Sequence, residues 1–205
     1  MRLHSSRLSL ALSFSLAALV CTAARAQTDV GLSLYGAFSG TETANGVQES
    51  PSNSAGGLFE LRHIANPLIG FEATYSYNRA NQVYSSPCTV AGCAAPTPAP
   101  VSTNAHEITG DWVPSIQIAN LRPFGVLGVG LLLNEPTSSQ SNATSSKEAV
   151  YVYGAGLDWG LLPHIGLRLQ YRGNLYKAPN VSKLYASSGA FTHTAEPMIG
   201  VYFRL

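Results

Sequence analysis

The chain has 205 residues, 45% of them hydrophobic and only 11% charged, with a formal net charge of +1. An average soluble domain carries about a quarter charged residues. So little charge, with no basic cluster, argues against a nucleic-acid partner and for a surface that is not wholly in water.

The first residues read as a removable leader. Arg2 and Arg7 precede an apolar run over 8–20, and Ala24-Arg25-Ala26 forms a small-x-small cleavage site before Gln27. The run carries three serines and falls short of the roughly 20 apolar residues of a membrane-spanning helix. Val20, branched, precedes Cys21 where a lipoprotein signal wants a small residue. The expectation is a secretory signal peptide over 1–26 and one domain over 27–205. Without the leader, nine basic and eleven acidic residues remain.

After the leader no helical period of apolar residues persists, whereas alternation with a period of two does. The first strand sets Val30, Leu32, Leu34 and Phe38 against Gly31, Ser33, Tyr35 and Ser39. The second (about 56–62) and fourth (about 105–113) alternate less cleanly. The third sets Ile69, Phe71, Ala73, Tyr75 and Tyr77 against Gly70, Glu72, Thr74, Ser76 and Asn78. In the fifth, Leu127, Val129, Leu131 and Leu133 oppose Gly128 and Gly130; in the sixth, Tyr151, Tyr153, Ala155, Leu157 and Trp159 oppose Gly154, Gly156 and Asp158. The seventh opposes Ile165, Leu167, Leu169 and Tyr171 to Gly166, Arg168, Gln170 and Arg172. The last opposes Ile199, Val201, Phe203 and Leu205 to Met198, Gly200, Tyr202 and Arg204.

Long polar connections (41–54, 79–104, 134–147 and 177–191) alternate with short ones (63–67, 114–120 and 160–164). Eight strands elaborated at one end only predict an all-β, eight-stranded antiparallel up-and-down transmembrane β-barrel, with short periplasmic turns and long external loops. The parity of the strands then predicts a lumen charge network of Glu60, Arg62, Glu72, Glu107, Asp111, Asp158, Arg168, Arg172, Glu196 and Arg204. A basic side chain on the lipid side costs roughly 2–4 kcal/mol near the midplane, so these charges belong inside. Inside, Arg168 and Arg172 should pair with carboxylates such as Glu72, Glu107 or Asp158, since enclosed charges need partners. Tyr75, Tyr77, Trp112, Tyr151, Trp159 and Phe203 lie near strand ends on the outward parity, as an aromatic girdle does. Cys88 and Cys93 share the second long loop, and an oxidising compartment would join them in a disulfide. No histidine is near them in sequence, so no metal site and no cofactor is expected.

The segment from Tyr153 to Arg172, YGAGLDWGLLPHIGLRLQYR, resembles the penultimate hairpin of small outer-membrane β-barrel proteins of the OmpA-like and opacity-protein group. The ending MIGVYFRL is similar to the C-terminal signal read by the barrel-insertion machinery, departing from it by placing Leu205 last and Phe203 two positions earlier. The resemblance implies an eight-stranded membrane barrel without an open pore; a monomer in contact with outer-membrane lipid is expected. The resemblance also implies loops that meet an external ligand or host surface.

Two other functions are weighed beside that scaffold. A lipid A-modifying barrel enzyme needs a serine, a histidine and an orienting acid. Only His193, Glu196, Ser187 and Ser188 suggest one, and Ala195 stands where barrel deacylases carry serine. His106 with Glu107 is a still weaker pair. A soluble lipocalin-like barrel would reverse the faces, with Leu167 and Leu169 inside and Arg168 and Arg172 outside. The expected function is therefore non-enzymatic, in envelope structure or surface adhesion, at the bacterial outer membrane.

Overall fold

The computed structural model describes residues 26–85, 100–137, 143–184 and 188–205. Ten strands run in chain order: β1 Gln27–Ser39, β2 Glu42–Ala44, β3 Val47–Pro51, β4 Ser54–Ile64, β5 Gly70–Ser85, β6 Val101–Trp112, β7 Leu121–Pro136, β8 Ser146–Gly160, β9 Ile165–Lys177 and β10 Phe191–Arg204. Among the described residues no helix is long and apolar enough to cross a membrane. Eight of the strands close a ring. Sequential neighbours pair antiparallel, β1 pairs with both β4 and β10, and β5 pairs with β6. Closure removes the free edges that a flat sheet would leave.

The other two strands correct the reading of 41–54 as a featureless polar loop. β2 and β3 form a hairpin turned by Asn45 and Gly46, whose φ values are 52° and 72°. Asn-Gly is the standard residue pair for that turn, because both positions need positive φ. β3 then docks on the outer end of β5, from Gln48 opposite Ser85 to Pro51 opposite Gln82. The stretch 79–104 is likewise shorter as a loop than expected. β5 continues to Ser85 and β6 begins at Val101, so the wall rises well past the apolar band.

The two faces differ as alternation requires. Leu32, Leu34, Phe71, Ile108, Val129, Leu131, Leu169, Ile199 and Val201 are exposed on the outer surface. Arg62, Arg168, Arg172 and Glu60 are fully buried on the inner one. That polarity overturns the lipocalin-like alternative. Apolar side chains form the outside, with Leu169 exposed by 53%, and the arginines between them are enclosed. The proposed girdle residues Tyr75, Tyr77, Trp112, Tyr151, Trp159 and Phe203 are all exposed.

A narrow barrel must also find room for its inner side chains. Glycines supply it where rings cross the lumen. A Cβ on Gly166 would meet Cζ of Tyr202 at 2.3 Å, and one on Gly156 would meet Cζ of Phe124 at 2.3 Å.

Leu169→Arg is expected to cost about 2–4 kcal/mol of folding free energy, measured by urea refolding into lipid vesicles. Unchanged stability would mean that strand β9 does not face lipid.

Candidate functional site

The lumen falls into two layers of charge. In the layer near the short turns, Arg168 on β9 reaches three strands at once. Its Nε and Nη2 donate to the two carboxylate oxygens of Asp158 at 2.6 and 2.8 Å. Its Nη1 donates to Glu60, and Asp29 lies 4.0 Å from Nη2. Arg62 holds Glu72 at 2.7 Å and Asp158 at 3.4 Å, with its guanidinium 4.1 Å above the Phe124 ring. Such a stack is favourable because the ring face is electron-rich. Arg122 and Arg204 approach Asp29 at 3.8 and 4.0 Å, and Arg122 also donates to Gln27. Arg204, 34% exposed at the side chain, sits at the rim of the barrel. Four carboxylates thus face four guanidinium groups.

Asp29, Arg122 and Gln27 did not figure among the residues predicted from sequence. Asp29 continues the inward parity of Gly31 and Ser33, so its signal was present. Arg122 follows the turn 114–120, where Pro123 and Phe124 interrupt the apolar alternation.

The upper layer is built differently. Arg172 donates from Nη2 to Glu107 at 3.1 Å and to the Thr109 hydroxyl at 3.4 Å, and from Nη1 to Thr74 at 3.3 Å. Asp111 lies 4.0 Å away. Asn174 donates to the other Glu107 oxygen at 3.0 Å. Glu196, buried on β10, stands opposite Arg172 in register. Three carboxylates here face one guanidinium.

The suggestive catalytic groupings come apart. His193 and Glu196 are three apart on a strand and so face opposite sides. His193 Nε2 is 2.8 Å from the Tyr153 hydroxyl on the outer surface, whereas Glu196 is inside. His106 likewise bonds Tyr75 at 2.8 Å outside while Glu107 binds Arg172 inside. Ser187, Cys88 and Cys93 lie outside the described residues. Among the described residues no group of three or more His, Cys, Asp or Glu is arranged to hold a metal.

Above the barrel the external connections meet on one side chain. The Tyr84 hydroxyl, on the raised end of β5, donates to the Pro179 carbonyl at 2.5 Å and accepts from the Val181 amide at 3.1 Å. Glu49 of β3 is 3.5 Å from the same hydroxyl. Val47, Tyr84, Val101 and Val181 pack as a small buried cluster, with Ala143 against it. Ala143 bridges to Ser182, the Thr144 amide donates to the Val181 carbonyl at 3.0 Å, and Asn45 donates to the Ser188 carbonyl at 2.9 Å. All four long connections therefore contribute to one cap.

Glu49 is buried there, above the lipid band, and among the described residues it forms no ion pair. Burial, reinforced by Glu148 and partly offset by the Tyr84 hydroxyl, pushes its carboxyl up to about 8. In the protonated form Glu49 donates to the Tyr84 oxygen while Tyr84 donates to Pro179, so each hydrogen has one acceptor.

With that geometry in place, comparison with known proteins identifies the architecture. Residues 9–195 match the outer membrane protein β-barrel domain family. A crystal structure of Neisserial surface protein A (NspA) superposes with a TM-score of 0.56 at 12% identity, covering 88% of this chain and 99% of that one. OprG from Pseudomonas aeruginosa superposes with a TM-score of 0.53 at 10% identity, over 87% of this chain and 96% of its own. Ail, the attachment invasion locus protein of Yersinia pestis, in complex with the heparin analogue sucrose octasulfate, superposes at 0.51 with 14% identity, over 88% and 97%. At such identities the likeness establishes the fold. No curated protein matches the chain in sequence.

Replacing Arg168 by Met should cost about 3–5 kcal/mol in urea refolding, because Asp158 and Glu60 would remain buried without their partner. The cap should respond to pH. A carboxyl raised when the cap is closed favours closure most below its ordinary value near 4.5. That advantage is lost as pH rises to about 8 and changes little beyond. The hydrogen-exchange protection factor of the Val181 amide should fall between pH 5 and 8 and stay flat in Glu49→Gln. A flat wild-type profile would remove Glu49 from control of the cap.

Proposed function

The chain belongs to the outer membrane protein β-barrel domain family, and from that premise we propose a non-enzymatic surface protein. On this reading its barrel is a closed support and its cap is the working surface. The observation that carries the reading is the lower charge layer, where Arg168, Arg62 and Phe124 fill the lumen from wall to wall. An eight-stranded barrel has an interior just wide enough for side chains to fill. A filled interior supports anchorage rather than transport, and leaves the external end to meet partners.

The cap supports recognition in a second way. Four connections gathered around one small buried cluster present a composite surface with less ordering cost than four free loops would carry. Ail, one of the structural neighbours, is by name an attachment and invasion protein, which suits the same use here. Residues 1–26 act on this reading as the export signal, and the alternating C-terminal strand, ending Phe203-Arg204-Leu205, engages the insertion machinery.

Three measurements separate the possibilities. The outer-membrane-extracted protein should migrate differently in SDS gels before and after boiling, and planar bilayers containing it should show no steady open channel. Bacteria displaying the chain should adhere to epithelial monolayers several-fold better than vector controls, and Tyr84→Ala should reduce that adhesion without abolishing the gel shift. Adhesion equal to vector, with the gel shift intact, would confine the protein to an envelope role. A stable conductance would overturn the closed lumen.

A further inference from the structure

Between the lower charge layer and the external end the lumen holds a chamber of about 40 Å³, lined by Tyr35, Glu107, Asn174, Tyr176 and Glu196 among others. A cavity needs only about 10–15 Å³ to hold one water, so this one has room for a small ion with a water or two. Its wall carries more buried acceptors than the protein satisfies. Oε2 of Glu196 and Oδ1 of Asn174 have no hydrogen-bond partner, although Glu196 is 4% and Asn174 1% exposed. Gln82 and Asn134 line the same chamber and bring one more unpaired atom each, Oε1 and Nδ2. The Asn174 amide is fixed in orientation, because its nitrogen donates to Glu107 at 3.0 Å. Its oxygen is therefore free to serve as a ligand.

Charge distinguishes an ion from water alone. The lower layer sets Asp29, Glu60, Glu72 and Asp158 against Arg62, Arg122, Arg168 and Arg204. Above it, Glu107, Asp111 and Glu196 share Arg172 alone, and of these carboxylates Glu107 and Glu196 line the chamber. We propose that this chamber is an alkali-metal cation site, with Glu196 Oε2 and Asn174 Oδ1 as its ligands and Glu107 as a second negative neighbour. One carboxylate, an amide oxygen and water form a hard oxygen set for a singly charged ion, whereas a divalent or soft metal wants more anionic or nitrogen and sulfur donors.

The test is thermal unfolding of the full protein in detergent micelles, with lithium, sodium, potassium or rubidium chloride compared with choline chloride at equal ionic strength. At least one alkali salt should raise the midpoint over choline chloride by about 2–4 °C, the shift given by roughly a fivefold excess of ion over its dissociation constant at this chain length. Glu196→Gln should lose that difference. Rubidium-soaked crystals of the unaltered protein provide a readout that needs no variant, with an anomalous peak expected between Glu196 and Asn174. Three results would overturn the proposal. One is equal midpoints in choline and every alkali salt, as water alone in the chamber would give. Another is a midpoint that follows pH but not the cation, as a proton shared by Glu107 and Glu196 would give. The third is an alkali effect undiminished in Glu196→Gln with no peak in the chamber.

Discussion

A bilayer supplies neither counter-charge nor hydrogen bonds, so an ionisable side chain on a spanning strand must turn inward and find a partner there. Arg168 is where that requirement converges. From β9 it engages Asp158 on the neighbouring strand and Glu60 on β4, and it lies within 4.0 Å of Asp29 on β1. Glu60 is 108 positions away in the chain, so this pairing exists only once the ring has closed. Contacts so remote in sequence are costly to form early in folding, since the intervening chain must first be ordered. The lower charge layer therefore checks closure. A barrel that fails to close leaves Arg168 with Asp158 alone. Inner glycines serve the same end, because Gly166 and Gly156 leave the space into which Tyr202 and Phe124 lie across the lumen.

The external end obeys a different constraint. Above the lipid the outer face needs no apolar cover, so strands can continue with polar residues on both sides. β5 does so as far as Ser85, and the β2–β3 hairpin pairs with its exposed edge. The result covers an edge that would otherwise offer unpaired amides. It also places Tyr84 where 179–181 can reach its hydroxyl. The four connections are consequently coupled. A partner that displaces one of them from Tyr84 disturbs contacts made by the others, so recognition and cap stability draw on the same few bonds.

These two regimes explain what was legible in the sequence. Within the lipid band, the constraint acts on every second residue, and Ile165, Leu167 and Leu169 against Gly166, Arg168 and Gln170 declare both the strand and its faces. Beyond the band the alternation fades while backbone pairing continues, which is why 79–85 read as loop and proved to be strand. The hairpin had a readable sign in Asn45-Gly46, masked by the polar residues around it. Glu49 had none. Its burial depends on β3 meeting β5 and on Val181 arriving from the far side of the barrel, neither of which local sequence encodes. Pairings inside the lumen are a similar case. Parity places Glu72 and Arg168 on the same side of the wall, but only closure and register decide that Glu72 goes to Arg62 and Asp158 to Arg168.

The distribution of charge along the lumen follows from the same physics and carries one step further. Four carboxylates and four guanidinium groups near the short turns balance one another in charge. Three carboxylates around Arg172 cannot do so, and the lumen stops being tightly filled at that height, where Asn174, Glu196 and Tyr176 border open space. Unbalanced charge and incomplete packing coincide in one place, between a closed floor and a hydrogen-bonded cap. A chamber left by packing alone would suit apolar linings better, since burying unpaired acceptors costs free energy that an aliphatic side chain would avoid. A polar lining suits water or an ion alike, and the excess of carboxylates over guanidinium groups at this height favours a cation.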